Sequence, residues 1–233
     1  MKSKETLIQI SQAIDMPSIL IKFGKKEDMK DLIYNGTVYC NTIEYFRKCE
    51  QKERGDSFEG TLEIRNYDEE DEHQFMAVLP KSGKQLSARK FKFRKYLTDI
   101  KGNLYCMYSL NAKIVSQQQR FKIDPKMKEF GNYMVIITKP IEFLSAIVKQ
   151  LKAKQLAYNM QHVRYYNYQY FSGELDLFSK PDYFRYQHEY RIALFRNSSE
   201  AVSVSIGNIE SYANLFPVSA IDNAEIGIQE IGI

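Results

Sequence analysis

The chain has no long apolar run. Its longest, such as Met134-Val135-Ile136-Ile137, fall far short of the ~20 residues a helix needs to cross a bilayer, which excludes a membrane-spanning helix. The first residues, with Lys2, Lys4 and Glu5, carry no apolar stretch of the kind a secretory signal requires. Cysteine is scarce: Cys40, Cys49 and Cys106 form no Cys-x-x-Cys pair and read as free thiols in a reducing cytoplasm. The histidines, His73, His162 and His188, sit at no metal-ligand spacing and lie near no cysteine, which argues against a structural zinc site. A Walker loop, a Gly-x-Ser-x-Gly elbow and a His-Glu-x-x-His helix are all missing. Kinase, P-loop NTPase, α/β-hydrolase and zincin chemistry go with them. Internal repeats, low-complexity tracts and Gly/Ser/Pro linkers are absent as well.

What the chain does have suits one globular domain over residues 1–233, with an N-terminal helix in 1–16 and the core in 17–233. It is 44% hydrophobic and 27% charged. A chain of this length buries roughly 70–75% of its unfolded surface and needs no disulfide or metal staple. The net charge of +4 is too mild to demand a nucleic-acid partner.

Helical spacing appears in 5–14 (stopped by Pro17), in Glu27–Tyr34 before Asn35-Gly36, in Thr42–Cys49, and in Ile141–Gln155 after Pro140. Apolar or alternating stretches predict strands over 18–23, 37–40, 62–67, 74–79, 90–97, 103–110, 133–138, 190–196, 202–206 and 226–231. Residues 50–60 read as a polar loop, and 176–186 as a loop or short helix around Pro181. Strands outnumber helices without alternating regularly with them, so the expected class is α+β, with a mixed, mostly antiparallel sheet system.

The segment Phe184-Arg185-Tyr186-Gln187-His188-Glu189 carries the sharpest chemistry. If it is strand, Gln187, Glu189 and Arg191 share one face. A carboxylate there can hold a sugar hydroxyl and stabilise an oxocarbenium ion, and the amide can orient a second reactant. The bland alternative is a surface pair between Glu189 and Arg191, worth little. Asp56 and Glu59, in Arg54-Gly55-Asp56-Ser57-Phe58-Glu59-Gly60, could hold substrate or brace Arg47, or simply form a capped turn. The tyrosines Tyr158, Tyr165, Tyr166, Tyr168 and Tyr170 offer either a stacking platform for bases or an edge strand covering the core. The basic stretch Lys81–Lys101 could touch phosphates, or be a solvated strand face opposite the acidic run Asp68–Glu72.

Aromatic-x-x-Gln-x-Glu at a loop-to-strand junction resembles the turn of toxin-type mono-ADP-ribosyltransferases. The opening Ile19-Leu20-Ile21-Lys22-Phe23-Gly24, then a helix, then Asn35-Gly36-Thr37-Val38-Tyr39 is similar to the start of that fold, and Tyr108-Ser109-Leu110 to its nicotinamide-lining strand. In element order the chain resembles DNA-targeting ADP-ribosyltransferase toxins, tRNA 2′-phosphotransferases, and uncharacterised bacterial domains, some of them linked to abortive phage infection. Those domains also carry an Asp-x-Phe-Glu segment and a Glu-x-Arg strand, as in Asp56–Glu59 and Glu189-Tyr190-Arg191.

The resemblance implies transfer of ADP-ribose from NAD, or NAD cleavage, in a bacterial toxin or phage-defence setting. It implies catalytic roles for Glu189 and Gln187, with Lys22, Tyr108, Ser109 and Arg191 contacting NAD. Expected partners are NAD, a nucleic-acid or protein acceptor, and an antitoxin or phage-derived protein, with no membrane. The family usually has Arg or His where this chain has Lys22. Lysine offers a phosphate a point charge but no bidentate fork, so Arg47 or Arg191 are alternatives for that role. A non-catalytic module that binds a nucleotide, a nucleic acid or a phage protein is the competing expectation.

Overall fold

A computed structural model describes residues 16–49, 55–67, 75–78, 83–88, 90–96, 101–111 and 121–224. The helix expected over 5–14, the strand expected over 226–231 and the acidic run 68–72 lie outside the described residues. The strands are β1 (Ile19–Gly24), β2 (Thr37–Thr42), β3 (Thr61–Tyr67), β4 (Phe75–Val78), β5 (Gln85–Ala88), β6 (Phe91–Tyr96), β7 (Asn103–Leu110), β8 (Tyr133–Ile137), β9 (Ala157–His162), β10 (Arg164–Tyr166), β11 (Gly173–Glu174), β12 (Ser179–Pro181), β13 (Glu189–Phe195), β14 (Val202–Ser205) and β15 (Ala213–Pro217). The α-helices are α1 (Lys26–Tyr34), α2 (Ile43–Lys48) and α3 (Pro140–Ala153). The fold is α+β, and among the described residues the strand pairs are antiparallel except β10 with β12.

Each helix follows from local chemistry. In α1, Met29, Leu32 and Ile33 form the buried face, and Glu27 and Asp28 in the first turn complement the helix dipole. Gly36, with φ 61°, turns the chain into β2; a Cβ there would lie 2.1 Å from the Gly207 carbonyl oxygen. Thr42 caps α2 by accepting from the Tyr45 N–H at 3.0 Å. Pro140 opens α3, which buries Phe143, Leu144, Ile147 and Leu151.

Eight strands, β14, β2, β7, β1, β8, β15, β13 and β9, form the main sheet. Side chains alternate across it. Leu20, Met107, Val135, Ile137, Tyr190, Ile192 and Leu194 meet α1 and α3 on one face. Ile21, Tyr108, Leu110 and Met134 meet Phe121, Ile123 and Met127 on the other. Glu189, Arg191 and Ala193 alternate away from the α1–α3 face, and Ala193 packs with Ile43 and Phe178.

The sheet is forked. One edge of β7 pairs with β13 along its length, Leu194↔Asn103 to Glu189↔Tyr108. The opposite edge is shared: Tyr108–Leu110 pair with β1, while Asn103 and Leu104 pair with β2. Tyr105, Cys106 and Met107 lie between the two paired stretches, where β1 and β2 diverge. Two smaller units complete the site. The 3-stranded sheet β11-β3-β6 follows the turn at 55–60, and β10-β12 leads into a 3-10 turn over Asp182–Gln187.

Candidate functional site: a cleft in the forked sheet

A cleft of about 460 Å³ opens in this fork. Its walls include Met29 and Leu32 from the α1 side and Glu59, Lys180, Glu189 and Arg191 from the opposite side, so it passes between the two core layers. Lys22, Tyr108, Gln187, Glu189 and Arg191 all line it; Ser109 does not.

Glu189 opens β13 and is 5% exposed. Its Oε1 accepts from Arg191 Nε at 2.5 Å and its Oε2 from Lys180 Nζ at 3.0 Å. Burial pushes its carboxyl up, but the Arg191 and Lys180 charges more than reverse this and hold it well below the usual carboxylate range. Arg191, 1% exposed, spends the rest of its fork on Glu59, with Nη1 to Oε1 and Nη2 to Oε2 both at 2.8 Å, and also donates to the Leu177 carbonyl. Burial works against its charge, and the carboxylates of Glu189 and Glu59 raise its pKa despite that. The expected Glu189–Arg191 pair is therefore real but buried, and far from the weak surface pair of the bland alternative.

Asp56 and Glu59 reach the network through the tight turn 55–60. Asp56 Oδ1 accepts from the Phe58 N–H at 2.9 Å, and its carbonyl accepts from the Glu59 N–H at 2.8 Å. Arg47 Nε does reach Glu59, but at its backbone carbonyl, 3.0 Å away; the carboxylate goes to Arg191. Burial raises the pKa of both acids. Three buried carboxyls thus face two buried cations, Lys180 and Arg191.

Gln187 stands beside Glu189 as expected, but for a different reason. It ends a 3-10 turn, and His188 follows it in the left-handed region at φ 38°. The shared direction of Gln187 and Glu189 comes from this turn and from Lys180, not from strand alternation. Lys180 Nζ donates to Gln187 Oε1 at 2.7 Å. His188 is held edge-on by Tyr108 and Phe121, at 5.5 and 5.3 Å between ring centres, and burial lowers its pKa.

Lys22 reaches the Cys106 carbonyl at 2.7 Å and lies 4.3 Å over the Tyr105 ring, in the unpaired part of the fork. Tyr108 packs edge-on to Phe23, and its buried hydroxyl has no hydrogen-bond partner among the described residues. Ser109 is fully buried beyond the cleft, with its N–H donating to the His188 carbonyl at 2.8 Å.

The tyrosine tract divides. Tyr165 is half-buried, and its hydroxyl accepts from the Glu189 N–H at 2.9 Å. Tyr166 is buried, and Tyr168 packs under Lys92 and Arg94 of β6. Tyr170 is exposed. Tyr165 and Lys180 are direct partners in the β10–β12 pairing, so one short ladder grips Glu189 by both backbone and side chain.

Lys180 lines the cleft and bonds both Gln187 and Glu189, and sequence reasoning missed it. Ser179-Lys180-Pro181 has no periodicity to mark it. The one available signal is that a residue before proline is held extended, which points its side chain in a defined direction. Comparison with protein families, with curated proteins and with solved structures finds no match for this chain. No helix among the described residues is long and apolar enough to cross a membrane, and among them no His/Cys/Asp/Glu group is placed to hold a metal ion.

Proposed function

We propose that the cleft binds NAD and that Glu189 promotes cleavage of its nicotinamide–ribose bond, with ADP-ribose passing to water or to an acceptor. In this step the C1′–N bond breaks, nicotinamide leaves with the electron pair, and positive charge builds on the ribose until a nucleophile closes on C1′. Glu189 stays ionised because Arg191 and Lys180 hold its charge, so it is ready to stabilise that cation and to accept from a ribose hydroxyl. Gln187 orients the second reactant. Tyr108 offers an aromatic wall, and Lys22 offers a positive charge for the pyrophosphate. One observation carries this reading: Lys22 and Tyr108, far in the chain from each other and from Gln187 and Glu189, line one cleft with them. Its volume of about 460 Å³ lies in the range of small-molecule sites.

A second reading has its own support. Both oxygens of Glu189 are already held by cations, an arrangement that suits a nucleotide-binding module without chemistry. The two readings separate in one assay. Wild type and Glu189→Gln are incubated with NAD, and released nicotinamide is measured. Loss of one electrostatic contact to the reacting centre should cost on the order of 10²–10³ in turnover. Equal release from both proteins removes Glu189 from the chemistry. NAD binding without release selects the binding module. A toxin or phage-defence role adds the expectation that expression slows growth and that Glu189→Gln relieves it.

A further inference from the structure

We propose that Tyr165 is a positioning residue for Glu189: its hydroxyl replaces a strand carbonyl and fixes the backbone that carries the carboxylate. The effect on turnover rests on the proposed function; the hold on Glu189 does not. β13 and β9 run antiparallel with Tyr190 opposite His162, a register that sets Glu189 opposite Val163. The Val163 N–H donates to the Glu189 carbonyl at 2.8 Å, the mark of a hydrogen-bonded pair. In such a pair the partner's carbonyl takes the other N–H in return. Here the Glu189 N–H goes to the Tyr165 hydroxyl at 2.9 Å instead. The chain leaves the ladder at that point: the Arg164 N–H donates to the Phe178 carbonyl at 2.8 Å, and β10 pairs with β12. A side chain thus makes the last bond of the ladder, at the residue of β13 that brings a carboxylate to the cleft.

The hydroxyl is itself fixed. Tyr165 is half-buried, lies opposite Lys180 in the β10–β12 pairing, and has the Arg185 guanidinium 5.5 Å over its ring. Arg185 belongs to the same 3-10 turn as Gln187. Burial and the Glu189 charge push the phenol up, so it stays protonated and accepts as a neutral hydroxyl. Lys180 meanwhile holds Glu189 Oε2 at 3.0 Å, so two paired residues of one ladder fix the backbone and the carboxylate of Glu189. Tyr165 does not line the cleft, so it acts on a ligand only through Glu189. Without the hydroxyl, the N–H of a residue only 5% exposed loses its acceptor. The end of the strand then moves to satisfy that N–H and carries the carboxylate with it.

The test uses the full chain and Tyr165→Phe, which removes the hydroxyl and keeps the ring under Arg185. Hydrogen exchange read by NMR should show the Glu189 amide protected in wild type. In Tyr165→Phe it should exchange about tenfold faster, with Ile192 and Leu194 in the same strand unchanged. The Glu189 carboxylate carbon resonance, assigned by its loss in Glu189→Gln, should move in the same variant. A Glu189 amide unprotected in wild type, or either signal unmoved by Tyr165→Phe, would overturn the proposal whatever NAD does. For nicotinamide release from NAD, kcat should fall about tenfold to a hundredfold in Tyr165→Phe with KM unchanged. Adding Tyr165→Phe to Glu189→Gln should cost nothing more, because no carboxylate is left to position. An unchanged kcat, a rise in KM alone, or equal losses in both backgrounds would overturn the positioning role. Failure of wild type to release nicotinamide would instead overturn the proposed function, with the two NMR signals deciding the hold of Tyr165 on Glu189.

Discussion

Replacing Arg191 by methionine removes one charge from a buried site. The guanidinium is 1% exposed and makes both bonds to the Glu59 carboxylate as well as one to Glu189. Methionine fills much of the volume, so the cost is electrostatic: two buried carboxylates lose their shared cation and only Lys180 remains between them. Breaking a buried pair this way typically costs about 3–5 kcal/mol, against about 0–1 kcal/mol for an exposed pair such as Arg65–Glu63. For a chain of this length that corresponds to a fall in Tm of about 6–20 °C. The assay is urea unfolding of Arg191→Met, Glu59→Leu and the double variant, with Glu63→Ala as the surface control. Burial already raises the Glu59 pKa, and losing Arg191 raises it further, so Glu59 escapes by taking a proton. The deficit of Arg191→Met should therefore shrink from pH 7 to pH 5. The double variant should recover most of the loss. A single variant no worse than Glu63→Ala, or a double worse than either single, would refute the claim that this network is held together by mutual charge compensation.

Other outcomes follow from neighbouring groups. Asp56 has its pKa raised by burial, so the folded state resists its ionisation; Asp56→Asn keeps the acceptor for the Phe58 N–H and should stabilise the protein at pH 7. That gain should fade as pH falls toward the ordinary Asp value of 3.8 and be gone below it, where the aspartic acid is as neutral as the asparagine, as urea midpoints at several pH values would show. Cys40 is buried, with its thiol pushed up to about 12, and burial pushes Cys106 up as well; a thiol reagent followed by mass spectrometry should label the half-buried Cys49 first in the native protein and all three only after unfolding. Gly36→Ala would drive a Cβ into the Gly207 carbonyl at positive φ and should cost more than about 1 kcal/mol, a size that a thermal melt detects readily.

Features that depend on near neighbours are legible along the chain. The buried face of α1, the proline that opens α3 and the fully apolar centre of β13 each leave a repeating mark within a few residues, and each lies where that mark predicts. The short strands β5, β11 and β12 leave almost none, because two to four residues span too little chain to show a period. Gln187 was legible as a neighbour of Glu189 but not as the end of a 3-10 turn, since the left-handed His188 answers to the rings of Tyr108 and Phe121 packed around it.

The site, by contrast, is assembled from segments remote in the chain. The fork arises because β1 and β2, separate in sequence, compete for one edge of β7. Glu59 meets Arg191 across 132 residues, and Lys180 reaches Glu189 through a parallel pairing with Tyr165. Ion pairs in a buried network are chosen by distance and by burial. Charge acts through space and leaves no period along the chain, so neither contact could be read before the fold brought the partners together.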